Sequence, residues 1–176
     1  MKEPVAWMKI RTDADSWIPL ELVVLFELTE ICFLQAARRD TTACAEHWST
    51  DDPMHGHCAA IALIVQDLYG GEILRASLED LPRYAHMRSH YWNLLPKKAG
   101  LKSPYHRGCI DIELDLSAGQ FAGNDRSLVP QGEVRPRSYL LENPDTARRY
   151  ALLKKRAQGV DYWGDLLSPS CPDEMI

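Results

Sequence analysis

Cys58 follows Gly56-His57 directly and opens an apolar run, CAAIALIVQDLY, that ends at Gly70-Gly71. A thiol is a nucleophile only as the thiolate, and an unperturbed cysteine is mostly protonated near neutral pH. The free N–H groups of a helix N-terminus favour the anion, and a neighbouring imidazolium favours it further. The spacing predicts a helix that starts at Cys58 and holds a reactive thiol. The same position also suits a small core cysteine in the first buried turn. His90 opens SHYWNLL, where Tyr91 and Trp92 can hold and shield an imidazole. A thiol–imidazole pair needs a third group to accept the second ring N–H. IDIELDLS supplies three acids, Asp111, Glu113 and Asp115, which a strand would place on one face.

Cys44, His47, His55, His57 and Cys58 form a dense Cys/His set. Zinc takes four such ligands tetrahedrally, but C-x2-H followed by H-x-H-C matches no common zinc module. No metal and no cofactor are expected.

The elements that must position these groups follow from pattern. Residues 20–38 read as a helix: Glu21, Glu27 and Glu30 interrupt an apolar stretch, and the spacing puts Glu27 and Glu30 on one side, which argues for an amphipathic core helix over a membrane span. Residues 41–57, with Pro53 and Gly56, read as a loop. Residues 58–69 read as a buried helix stopped by Gly70-Gly71. Glu72–Ala76 and Ser89–Leu95 read as strands, and Cys109–Leu116 alternates with period two as a half-buried strand. Ser117 and Gln120 have capping-box spacing, predicting a short helical turn over 117–121. Residues 122–138 read as irregular. Asn143, Pro144 and Gly159 bracket a C-terminal helix over 144–158. The pair Gln66-Asp67 of the Cys58 helix is read as that helix's wet side, and Trp7, Trp17 and Trp163 as packing residues.

The length of 176 residues fits one domain spanning 1–176, with a loose tail from about 168. A net charge of −5 with short, scattered basic runs disfavours nucleic-acid binding. The first residues lack the apolar core of a secretory signal. The five cysteines, at 32, 44, 58, 109 and 171, are odd in number and irregularly spaced, so a disulfide framework is not expected and a reduced cytoplasmic setting is.

The order of helix cysteine, strand histidine and strand acid resembles the papain-like and transglutaminase-like cysteine enzymes. HYWN is similar to the histidine strand of transglutaminase-like domains. More closely, WSTDDPMHGHC, ALIVQDLYGGEI, HYWNLL and LDLSAGQF resemble the bacterial YunG-like family over residues 48–121. The resemblance implies an α+β fold of that papain-like kind: a buried helix carrying Cys58, packed on a small, mainly antiparallel sheet with flanking helices. It also implies Cys58 as nucleophile, His90 as base and Asp115 as the orienting acid, because LDLSAGQF matches the family's aspartate block. Asp111 is the fallback acid.

Two positions depart from the family. His57 stands where glutamine precedes the cysteine, and Asp52 stands where the family has asparagine, six residues before Cys58. In papain-like enzymes a side-chain amide at that spacing helps hold the oxyanion. An ionised aspartate cannot donate, so Trp48 and His57 are the candidate donors. The expected function is a cysteine-dependent hydrolase or acyltransferase acting on an amide, peptide or related acyl bond. The alternatives are a non-catalytic binding or regulatory protein that keeps the fold, and a structural zinc protein. No nucleic-acid partner and no membrane are expected.

Overall fold

The computed structural model describes residues 7–10, 18, 20–95, 112–122 and 125–161. Asp111, Cys109, Cys171, Trp17 and Trp163 lie outside the described residues, as does the tail from 168. The architecture is α+β. Strands β1 (Trp7–Ile10), β2 (Glu72–Ser77), β3 (Ser89–Leu95), β4 (Ile112–Asp115) and β5 (Glu133–Arg135) form one sheet in the order β1-β4-β3-β2-β5. Every pairing is antiparallel. The helices are α1 (Leu20–Ala36), α2 (Cys58–Tyr69), α3 (Arg137–Leu141) and α4 (Pro144–Ala157).

Helix α2 is apolar around its whole circumference for two turns, and Cys58 through Val65 are all buried. A helix of that composition must be covered on every side. It packs against β3 and α4, sharing a core with Phe26 and Phe33 of α1, Leu114 of β4 and Leu153 of α4. Each such large apolar side chain, fully buried, contributes about 1.5–3 kcal/mol relative to exposure. Asn93 Nδ2 donates to the Ala62 carbonyl at 3.0 Å, which fixes β3 against the middle of α2. Gly70 and Gly71, at φ 73° and 84°, end the helix in the left-handed region open to glycine.

The wet side of α2 is its attachment to α4. Asp67 pairs with Arg137 at 2.9 Å and with Lys154 at 2.7 Å, and Tyr150 Oη donates to it. Helix α4 starts where the sequence places it, with Asn143 Oδ1 accepting from the N–H groups of Asp145 and Thr146, a cap worth about 1 kcal/mol.

Three expectations change. Strands β1 and β5 fall in segments that carry no strand pattern. The short helical turn expected over 117–121 forms, as a 3₁₀ turn over Ala118–Gln120, but the Ser117–Gln120 capping box does not, since no side chain caps it. In α1, Glu30 is buried while Glu27 is exposed, so the two acids do not share one solvent face. Among the described residues no helix is long and apolar enough to cross a membrane.

Candidate active site

Loop 41–57 presents the N-terminus of α2. Its turn depends on Gly56, at φ 70°, whose carbonyl accepts from the Ala43 N–H at 3.0 Å. Thr42 Oγ1 donates to the His55 carbonyl at 2.5 Å. A Cβ at residue 56 would run into Thr42 Oγ1. His57 is sealed inside this loop, with its ring nitrogens at 2.8 Å from Thr41 Oγ1 and 3.0 Å from the His55 carbonyl oxygen. Burial pushes its pKa down to about 4. Cys58 then begins α2, 6% exposed.

Strand β3 carries His90, whose side chain is wholly buried. Its Nε2 lies 2.6 Å from Asp115 Oδ2 at the end of β4. An ionised carboxylate only accepts, so Nε2 bears the proton in that contact. The ring stacks on Trp92 (centroids 5.5 Å, planes at 18°) and meets the edge of Phe121 (4.8 Å, 87°). Its other nitrogen, Nδ1, lies 3.0 Å from the side-chain amide of Gln120, which can donate to the neutral ring through nitrogen or, turned over, accept from the charged ring through oxygen.

Asp115 is fully coordinated. Oδ1 accepts from the Ser117 N–H at 3.0 Å and from Ser117 Oγ at 2.8 Å. Oδ2 accepts from His90 and from Arg126 Nε at 2.5 Å. The four lone-pair sites of a carboxylate are thereby filled. Arg126 is itself clamped between aromatic rings, with its guanidinium carbon 4.1 Å from the Trp7 centroid and 4.6 Å from that of Trp92. Gly132 lets the Trp92 ring approach, since a Cβ there would meet it at 2.6 Å.

The electrostatics follow from this arrangement. Burial alone would keep His90 neutral. The Asp115 charge and hydrogen bond outweigh it, a hydrogen bond with the Cys58 side chain adds to them, and the ring is pushed up to about 9. Burial likewise favours a protonated Asp115, but His90 first and Arg126 second hold its carboxyl well below the usual carboxylate range. The result is a buried ion pair whose imidazolium reaches the thiol at the start of α2.

The structure therefore brings Cys58, His90 and Asp115 together. Glu113, on the same strand face, accepts from Trp92 Nε1 at 2.8 Å instead. The two candidate oxyanion donors are engaged elsewhere. Trp48 Nε1 donates to the Pro53 carbonyl at 3.1 Å, and His57 is locked in its loop. The Cys/His set of the sequence divides: His57 and Cys58 go to the loop interior and the helix start, whereas His47 and His55 gather with His86, at ring-centroid separations of 5.1–5.9 Å. Among the described residues no group of three or more histidine, cysteine or acidic side chains is arranged to hold a metal.

Sequence reasoning missed Arg126, which lies in a stretch without periodicity. Ser117 and Gln120 were visible as a spaced pair, but the pair serves Asp115 and His90 in place of a helix cap.

The chain belongs to the YunG family: the family model described as YunG protein matches residues 28–160. Cys58, His90, Asp115, Gln120 and Arg126 lie inside the match, and Trp7 outside it. No curated protein and no solved structure matches the chain.

Proposed function

We propose that this protein is a cysteine-dependent acyl hydrolase or acyltransferase with a papain-like or transglutaminase-like placement of Cys58, His90 and Asp115. One observation carries the reading: a wholly buried imidazole held at 2.6 Å by a buried carboxylate and in hydrogen-bonding reach of the thiol at a helix N-terminus. A buried His–Asp pair placed only for stability gains little over well-packed apolar residues. A pair that favours an imidazolium beside a thiol has a chemical use.

In the proposed reaction the thiol proton rests on His90 Nδ1 and the sulfur attacks the carbonyl carbon of an amide or ester. The C–S bond forms as the carbonyl π electrons move to oxygen. On collapse, the bond to the leaving nitrogen or oxygen breaks and His90 Nδ1–H gives that atom its proton. Water or another acceptor then attacks the thioester by the reverse sequence, with His90 as base. Asp115 remains ionised, fixing the ring orientation and stabilising its charge. A reducing, cytoplasmic setting would keep Cys58 as a thiol.

The test is the rate of Cys58 alkylation by iodoacetamide against pH, read by peptide mass spectrometry, in wild type and His90→Ala. Identical profiles in the two proteins would remove the reading. The second reading, a binding protein without turnover, draws on Asp52, whose carboxylate stands where an amide donor is expected. It predicts a His90-dependent thiol that no activated ester acylates.

A further inference from the structure

Loop 41–57 holds a second thiol beside an imidazole and a carboxylate, none of which the proposed reaction uses. Thr42 ties the two ends of this loop together. Its Oγ1 accepts from the Cys44 N–H at 3.1 Å and donates to the His55 carbonyl at 2.5 Å. Next to it the Ala43 N–H donates to the Gly56 carbonyl at 3.0 Å. These bonds bring Cys44 and His55 together, and the Cys44 side chain hydrogen-bonds the His55 ring. Asp52 Oδ2 lies 3.3 Å from His55 Nδ1. An ionised carboxylate only accepts, so Nδ1 carries the proton in that contact.

His55 is buried, while His86 and His47, which pack on its ring at 5.5 and 5.9 Å, are exposed. The Asp52 hydrogen bond first, and the Cys44 one second, push His55 up to about 9, so the ring is charged at neutral pH. The neighbouring charges have other partners: Glu46 lies 3.4 Å from His47, and Arg83 pairs with Asp125 at 3.2 Å. Burial first, and then the His55 and His47 charges, keep His86 below its ordinary value. His55 is therefore the cation that the Cys44 thiol meets, and an adjacent imidazolium is the kind of group that raises thiol reactivity.

Access separates the cysteines. Cys32 and Cys58 are buried, and among the described residues Cys44 is the only cysteine that is not. Burial also pushes the Cys32 thiol up. Acyl transfer needs donors preset for an oxyanion. Exchange with a disulfide forms no oxyanion and needs only a reactive sulfur and a path to it.

We propose that Cys44, with His55 and Asp52 behind it, is a modification site that forms mixed disulfides with low-molecular-weight disulfides. The Cys44 sulfur gives up its proton to solvent and attacks one sulfur of R–S–S–R. The Cys44 S–S bond forms as the original S–S bond breaks, and the released thiolate takes a proton from solvent. Cys44 is oxidised, and half of the reagent leaves reduced as R–SH. His55 holds and stabilises the attacking sulfur, and Asp52 positions His55. The proposal does not draw on the reading of Cys58.

The test uses bis(2-hydroxyethyl) disulfide, an uncharged reagent, at pH 7. It is run in a Cys58→Ser background, so that no exchange passes between the two sulfurs, and the adduct is read at the Cys44 peptide by mass spectrometry. Cys44 is expected to form the mixed disulfide and Cys32 to stay free. His55→Gln keeps a hydrogen-bonding side chain without the charge and is expected to slow the reaction about three- to tenfold, and Asp52→Asn about two- to fivefold. A merely structural role has the opposite sign, because a loosened loop exposes Cys44 further and speeds the reaction. A Cys44 that stays unmodified, or rates in both variants at or above that of the unsubstituted site, overturns the proposal. Labelling of Cys32 in His55→Gln would mark a lost fold, and Asp52→Asn then decides alone.

Discussion

His90 Nε2 and Arg126 Nε bond the same oxygen atom, Oδ2 of Asp115, at 2.6 and 2.5 Å. Two cationic groups on one atom keep the carboxylate ionised although it is fully buried, and Arg126 is fixed there by the Trp7 and Trp92 faces. Arg126→Met keeps much of the side-chain volume and removes the charge. Breaking one arm of a buried ionic network costs about 3–5 kcal/mol. The expected result is a loss of that order in urea unfolding, with His90 still held by Asp115 and Cys58 still more reactive than Cys32 and Cys44.

Cys58 labelling tests the thiol–imidazole pair. With His90 pushed up to about 9, the ring is charged through neutral pH, and a neighbouring imidazolium is the kind of group that raises thiol reactivity. His90→Ala is expected to slow iodoacetamide labelling of Cys58 at least about tenfold at pH 6, and by less than about threefold at pH 9, where a free thiol ionises unaided.

The same pair sets a pH dependence of stability. The pKa of His90 is raised from 6.5 to about 9, so its contribution is fully present below pH 6.5 and lost as pH rises through 9. The pKa of Asp115 is depressed, so its contribution is present above the ordinary carboxylate range and lost as pH falls through the depressed value. The difference in Tm between wild type and His90→Gln is expected to be largest near pH 5–6 and to narrow toward pH 9.5. His55 and His57, also shifted, are present in both proteins and cancel from the difference.

Gly56→Ala tests the loop that presents Cys58. The residue sits at φ 70° with Thr42 Oγ1 in the path of a Cβ. Strain of that kind costs about 1–3 kcal/mol. The midpoint of urea unfolding should fall accordingly, and Cys58 labelling should slow, because the carbonyl of His55 and the start of α2 move with this turn.

The α2 helix over Cys58–Tyr69 and the β3 strand over Ser89–Leu95 were legible to the residue, because a local pattern and a local stop signal agree in both. Strands β1 and β5 were not. Trp7–Ile10 and Glu133–Arg135 have no alternation of their own and are strands because β4 and β2 offer them open edges. Cys58 and His90 could be named because each stands at the opening of a patterned element, whereas Asp115 was singled out from Asp111 and Glu113 by the family resemblance alone. The residues that complete their surroundings could not. Arg126 follows no periodicity, and His86 joins His47 and His55 only through the fold. Ser117 and Gln120 show how one spacing serves two physical purposes: three residues apart suits a helix cap, and it also suits reaching two neighbours across a tight turn.

The register of β1 on β4 pairs Trp7 with Asp115, and Trp7 is one of the two rings that hold Arg126 over that acid. On a ribosome, Trp7 emerges early and has nothing to pair with until β4 follows. Cys58 emerges long before His90, Asp115 or Arg126. A nascent chain therefore carries Cys58 apart from its partners until β3 and β4 have been made, and closing the sheet brings the three together. Closure between such distant segments is also the slow kind of folding event, so the arrangement of Cys58, His90 and Asp115 is completed late, when little of the chain remains unfolded.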